Sequence, residues 1–418
     1  MNKKSASFLN KSHTGSGLLI KRRDFLYASS FATASLMMPK FLKALETQAA
    51  VPPGNKVVVV LQLSGGNDGL NTVIPVRNDI YYRSRPGIGV QKDKSLALTD
   101  EVSLHPALIS LKTLYDEGNM AILNNVGYPN PDRSHFRSMD IWHSASQSNE
   151  YWNNGWIGRY LDAQCHGCDK PTQALEIDDV LSLALKGEQN NALAVKDPRR
   201  LFGTSNEKYF REMNKSFHTG DHHDEKPVDY LYKTLAETLS SADYIFKQSR
   251  LHPSTGSYPN TELGNGLKTI ASLIFSDINT KVYYISLGSF DTHVGQEAQQ
   301  ARLFTQLSDA VKSFTDDLKK NGRMEDVLLF TFSEFGRRVA QNASNGTDHG
   351  TANNMFLISG GLKKKGLLNP MPDLEDLNQG DLKYNVDFKN VYATVLEKWL
   401  AADSGKILKA HYDTMDFI

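Results

Sequence analysis

Hydrophobic and polar positions along the chain fall into two rhythms. Residues 56–63, Lys-Val-Val-Val-Val-Leu-Gln-Leu, form a nearly unbroken apolar run of β-branched type. Such a run suits a strand covered on both faces, the environment of a parallel-sheet core. Met120 to Val126, Val282 to Leu287, Val327 to Phe332 and Met355 to Ser359 repeat it in shorter form. Between these strands the spacing turns helical. Pro106 to Glu117 sets Leu108, Leu111 and Leu114 three apart, and Ser134 onward reads helical through Phe136, Met139 and Trp142. Gln299 to Lys320 places Leu303, Leu307, Val311, Phe314 and Leu318 on one face. Helices are also expected over Tyr230 to Phe246, Leu263 to Phe275 and Asn390 to Ala401, with short strands near 173–177, 181–185 and 192–195. Strands alternating with helices predict an α/β fold, a three-layer sandwich with a mostly parallel central sheet flanked by helices. One domain over 50–418, with insertions around 150–260, is the simplest organisation.

Composition narrows the class. The chain has 418 residues, 40% hydrophobic and 22% charged, with 47 basic and 47 acidic side chains and two cysteines. That is too apolar for a disordered chain, and two cysteines cannot staple one this long, so it rests on a core. The zero net charge gives no global attraction to nucleic acid or anionic membrane. It hides an asymmetry, however. Residues 1–49 carry +6 and the remainder −6.

A basic head is the mark of a targeting segment. Lys21-Arg22-Arg23-Asp24-Phe25-Leu26 resembles the twin-arginine export signal, and a weakly apolar run follows to Met38. The run is too short to span a bilayer, which needs ~20 apolar residues. Residues 1–49 are therefore expected to be a signal peptide, against the alternative of a basic helix that stays attached. The twin-arginine export machinery is the expected partner. The mature protein is expected to be periplasmic or secreted, with no membrane and no nucleic acid bound. In that oxidising compartment Cys165 and Cys168 suit a local disulfide, a thiol pair or half a metal site being the alternatives. They lie far from the candidate chemistry, which weighs against a redox function.

That chemistry collects where ligands of open α/β sheets bind, beyond the carboxyl ends of strands. Ser64-Gly65-Gly66-Asn67-Asp68-Gly69 follows the first strand, with Asp68 either a metal ligand or an Asx-turn cap. Asp132-Arg133-Ser134-His135-Phe136-Arg137 follows the second. Ser134 falls at a helix start, as an ordinary cap or as a nucleophile, with Arg133, His135 and Arg137 beside it to bind an anion. Phe290-Asp291-Thr292-His293 follows the third; if extended, Asp291 and His293 point the same way. Ser333-Glu334-Phe335-Gly336-Arg337 follows the fourth, where an acid at the end of an apolar strand is costly unless paired with Arg337 or metal-bound. Asp348-His349-Gly350 precedes the last strand. Together these offer a mixed oxygen and nitrogen donor set. A serine triad is the other option, but no Gly-x-Ser-x-Gly surrounds Ser134.

These five segments, the first taken from Gln62 to Asn71, resemble the bacterial family known as domain of unknown function 1501, along nearly the whole mature chain. That family is in turn similar to the alkaline phosphatase and sulfatase superfamily of metal-dependent ester hydrolases. The resemblance implies an alkaline phosphatase/sulfatase-like fold with Ser134 as nucleophile. It implies Asp291 and His293 as ligands of one divalent metal ion (zinc, manganese, magnesium or calcium), Asp68 and Glu334 at another, and His349 as the late histidine ligand, with completion of the set by Asp348 and His349 as an alternative to a single metal. Arg133, Arg137 or Arg337 would hold anionic oxygens. The superfamily's Asp-His-Gly is here Glu334-Phe335-Gly336, so one histidine is missing, and one metal in place of two is an open alternative. The implied function is hydrolysis of phosphate or sulfate esters, on a small anionic ester or a glycan or lipid. The competing expectation is a non-catalytic, metal-stabilised binding or scaffold protein of an exported complex. Tyr151, Trp152, Trp156 and Tyr160, after Trp142, either flank a substrate or belong to the core.

Overall fold

The structure is a computed structural model that describes residues 55–164, 172–208, 212 and 241–418. The signal peptide expected over residues 1–49, Cys165 and Cys168, and most of the helix expected from Tyr230 lie outside the described residues.

The β-branched run forms strand β1 (Val57–Leu63), every residue of which is buried. Alternation along it divides two cores. Val57, Val59, Leu61 and Leu63 face one cluster, and Val58 and Val60 face the other. Eight further strands complete one sheet: β2 (Met120–Gly127), β3 (Ala174–Glu176), β4 (Leu193–Ala194), β5 (Val282–Leu287), β6 (Val327–Phe332), β7 (Asn353–Ile358), β8 (Gly366–Leu367) and β9 (Val386–Asp387). The order is β8-β2-β7-β6-β1-β5-β3-β4, with β9 also paired to β2. All neighbours run parallel except β7, which is antiparallel to both β2 and β6.

Helices cover both faces. On one lie α2 (Ile109–Asp116), α5 (Glu262–Phe275) and α6 (Gln296–Lys320), whose Leu303, Leu307, Val311, Phe314 and Leu318 are all buried, as the spacing predicts. On the other lie α3 (His135–Ser144), α4 (Trp156–Gln164) and α7 (Phe388–Thr394), around Trp142, Trp156 and Tyr392. The fold is thus a three-layer α/β sandwich with a mostly parallel sheet. Trp142, Trp156 and Tyr160 are core side chains. No helix among the described residues is long and apolar enough to cross a membrane.

Some elements depart from expectation. The strand expected near 181–185 is a 3-10 turn, Leu183–Leu185. It curls because the Ser182 N–H donates to the buried Glu176 carboxylate at 2.6 Å. The helix expected over Asn390 to Ala401 starts at Phe388 and turns π-helical over Val395–Trp399. A three-stranded antiparallel sheet (Val73–Pro75, Leu96–Ala97, Val102–Leu104) and the short helix α1 (Gly69–Thr72) had no clear sequence signal.

Strand direction positions the site. The carboxyl ends of β1, β2, β5 and β6 share one edge, in the registers Gln62↔Phe332 and Leu63↔Leu287. Because β7 runs the other way, its amino end meets the same edge, with Asn353 opposite Val126. The Asp348-His349 segment before β7 therefore arrives where the other loops leave.

Candidate metal centre

His135 opens α3, with Ser134 at the N-cap position. The loop from β2 is tightened by an Asp132 carboxylate that accepts the Ser134 N–H at 2.7 Å. Asp291 and His293 follow β5, Glu334 follows β6, and His349 pairs across a short bridge with Arg337. Phe335 packs against His135 and His349, with ring centroids 4.7 and 4.6 Å apart. It occupies space that only a glycine leaves free: a Cβ on Gly66 (φ +77°) would stand 2.2 Å from the Phe335 ring.

Three imidazoles converge here, and each has its Nδ1 held by an acceptor. His135 Nδ1 lies 2.8 Å from Glu334 Oε1. His293 Nδ1 lies 3.2 Å from Asp348 Oδ1. His349 Nδ1 lies 2.8 Å from the Arg133 carbonyl oxygen. Carbonyls and ionised carboxylates only accept, so each Nδ1 serves as a donor to the group behind it. With Nδ1 engaged in each ring, Nε2 is the nitrogen left to face Asp291. The Nε2 atoms of His293 and His349 stand 2.9 Å apart and lie 3.1 and 3.2 Å from Asp291 Oδ1. His135 Nε2 is buried without a hydrogen-bond partner, 3.6 Å from Asp291 Oδ2. Ligand atoms of His135, Asp291 and His349 all lie within 4.8 Å of one another.

The electrostatics follow from these contacts. Burial alone would raise the Asp291 carboxyl, but the Arg337 guanidinium at 2.6 Å, with His349 and His293, brings it down to about 2. The Glu334 hydrogen bond raises His135, whereas burial lowers His349. A hydrogen bond from Asn342, then His293, holds the Asp348 carboxyl below the usual carboxylate range. Arg337 also donates to the carbonyls of Gly65, Gly66, Phe290 and Thr347. With its guanidinium engaged this way, it positions Asp291 and has no part in holding a free anion.

Imidazole nitrogens this close to one another and to a carboxylate need a proton or a cation between them. Three imidazole nitrogens and a carboxylate form a donor set suited to zinc or a similar divalent ion. Carboxylates and a carbonyl behind the histidines fix ring orientation as supporting groups of metal sites do. The residues present thus fit a metal.

The expected ligands sort into three groups. Asp291, His293 and His349 come together, joined by His135, which sequence reasoning had placed beside the nucleophile. Glu334 and Asp348 stand behind the rings, as acceptors for the histidines. Asp68 lies elsewhere: its fully buried carboxylate is held by Arg85 Nη1 at 2.6 Å, Gln296 Nε2 at 2.5 Å and the Leu70 and Asn71 N–H groups that start α1. The capping alternative holds for Asp68, because Arg85 supplies the charge a metal was expected to supply. Arg137 likewise turns away, its guanidinium latching the carbonyls of Gln147, Ser148 and Glu150 beneath the Tyr151 ring. Arg133 pairs with the buried Asp381 while its carbonyl holds His349. Ser134 is exposed and its hydroxyl makes no capping bond. Only a repeated His-acceptor pairing across distant loops marks His135 as part of the cluster, and that is invisible to local spacing.

A three-layer α/β sandwich with a histidine-rich, carboxylate-backed centre at the carboxyl edge of its sheet defines the class. The family described as Protein of unknown function (DUF1501) matches residues 119–414, and the chain belongs to it. No curated protein is found to match the chain. Among solved structures it is similar to the PsFucS1 sulfatase from Pseudoalteromonas sp., at 11% identity and a TM-score of 0.39, over 93% of this chain and 74% of that one. It is also similar to the phosphonate monoester hydrolase SpPMH from Silicibacter pomeroyi, at 8% identity and a TM-score of 0.36, over 86% and 78%. A third is the lipoteichoic acid synthase LtaP from Listeria monocytogenes, at 10% identity and a TM-score of 0.32, over 82% and 73%.

Proposed function

We propose that the chain is a metal-dependent hydrolase of phosphate or sulfate esters, with one divalent ion held by His135, Asp291, His293 and His349. The observation that carries this is the convergence of three imidazole Nε2 atoms on one carboxylate. Three imidazoles favour zinc over magnesium or calcium, which prefer oxygen shells. When bound, such an ion polarises an ester oxygen and lowers the proton affinity of a nearby hydroxyl. Ser134 supplies that hydroxyl. It lies between Arg133, whose carbonyl anchors His349, and His135 itself. The N-terminus of α3 offers N–H groups and a favourable dipole to an anionic oxygen. Glu334 and Asp348 keep the imidazoles in the ligating tautomer.

The test is to load the purified protein with zinc, manganese, magnesium or calcium and assay phosphate mono- and diesters and sulfate esters. One bound equivalent is expected, lost in His349→Ala and retained in Ser134→Ala. Turnover no faster than that of Ser134→Ala sinks the serine mechanism, and absence of bound metal sinks the centre. Phe335, an apolar ring against two of the histidines, is the feature that favours a non-catalytic binding role; bound metal without turnover on any ester would establish it.

Export through the twin-arginine machinery belongs to the same proposal and rests on Arg22 and Arg23. Cell fractionation of a double Arg22→Lys, Arg23→Lys variant should leave the protein in the cytoplasm, and unchanged export would refute it.

A further inference from the structure

A cavity of about 340 Å³ adjoins the metal centre, and Phe335 is common to both: its ring lines the cavity and packs on His135 and His349. The volume lies at the small end of the ~300–1,000 Å³ typical of small-molecule sites, room for about one ring. Its other walls include Tyr128, Asn130, Asn378 and Tyr384.

The wall is built rather than incidental. Asn378 sits on a hairpin, Leu377–Asn378 paired to Asp381–Leu382. Gln379 (φ +53°) and Gly380 (φ +87°) form its two-residue turn, the left-handed pair that matches strand twist. Asp381, on the same hairpin, is fully buried and pairs with Arg133 and Arg338. That ties the cavity wall to the segment carrying Ser134 and His135. Tyr384 packs on Gly127, where a Cβ would stand 2.8 Å from its own.

The free polar groups of this cavity are uncharged. The carboxamides of Asn130 and Asn378 are exposed and make no hydrogen bond among the described residues. Lys383, the one cation in the lining, is paired with Asp376. Amides that both donate and accept match hydroxyl groups, and tyrosine faces match the C–H face of a saturated ring.

We propose that this cavity binds the alcohol portion of the substrate, an uncharged polyhydroxylated ring such as a sugar or cyclitol. The proposal rests on the metal-hydrolase assignment for the placement of the ester, but not for the binding itself. The test is saturation-transfer NMR on the full chain, zinc-loaded and metal-stripped, with glucose, N-acetylglucosamine and myo-inositol as probes and phenol as the apolar counterpart. At least one hydroxylated ring is expected to bind in both states, and the pattern of probes separates sugar from cyclitol. Tyr384→Ala should weaken it about tenfold, and Asn378→Ala, on the hairpin surface, by a similar factor. No transfer from any of the three, transfer unchanged in both variants, or preference for phenol overturns the proposal. Metal content of the same samples reports on the metal centre separately, so ring binding without metal would leave this inference standing and remove the other.

Discussion

Asp68→Ala separates the two roles open to that residue. Both side chains of the Asp68–Arg85 pair are fully buried. Arg85 also donates to Asn71 Oδ1 at 2.8 Å and to the carbonyls of Arg338 and Val339, so it cannot swing out to water. Removing the carboxylate leaves a guanidinium charge in the core. Breaking a buried pair from one side costs about 3–5 kcal/mol. The lost cap of α1, worth about 1 kcal/mol, is part of that figure and not an addition to it. Urea unfolding of metal-free protein, with the slope checked for constancy, measures the change. Asp68→Ala should unfold at lower urea by an amount equal to about 3–5 kcal/mol. Its zinc stoichiometry, from elemental analysis after gel filtration, should match wild type. A double variant Asp68→Leu, Arg85→Met should recover much of the loss, since the stranded charge goes with its partner. Loss of metal with unchanged metal-free stability would refute the structural role and restore Asp68 as a ligand.

Two further outcomes are expected. Glu334→Gln keeps the shape behind His135 but removes the charge, and should weaken zinc binding about 10–100-fold in a chelator competition assay while leaving the stoichiometry at one. Unchanged affinity would mean that Glu334 does not orient the ring. His143, wholly buried beside Tyr284 and Gln62, is pushed down to about 4 by burial, and so is His105. Both folded values lie below the unfolded value, so the unfolded chain binds more protons between about pH 4 and 6.5. Their contribution is present above pH 6.5 and fades as pH falls toward 4. At about 1.4 kcal/mol per unit, His143 accounts for about 3 kcal/mol of it. Stability against pH should therefore be flatter over this window in His143→Gln, and equal slopes would show that His143 is not the titrating group.

Much of the scaffold was legible because burial on both faces leaves a plain signature. Val57 to Leu63 needed no long-range information to be read as a central strand. The helix on Leu303 to Leu318 was equally plain, since one stripe of apolar residues suffices. Direction was not legible: an apolar run looks the same in either sense, so nothing in Met355 to Ile358 announced that β7 is antiparallel. The site divided along the same line. Asp291, His293 and His349 could be nominated by residue type and by position at strand ends. Asp68 could be nominated for the same reason and was misjudged, because the residue that claims it, Arg85, lies 17 positions on and outside any motif. Arg137 was misjudged likewise, its carbonyl partners lying in a loop beyond its own helix. His135 was underread, since Glu334, which fixes its ring, is 199 residues away.

The antiparallel course of β7 has a consequence for how the donor set is assembled. His349 reaches the edge only after the chain has passed it on β6 and come back, and His135 reaches it from β2, on the far side of β7. No short stretch of this chain holds the donor set by itself, in contrast to zinc modules whose ligands lie close together and whose folding the metal drives. An ion bound there would come to a finished sheet and add to stability only by mass action, as its concentration exceeds its dissociation constant. Binding would then follow the ion pool around the folded chain and not the one present while the sheet forms.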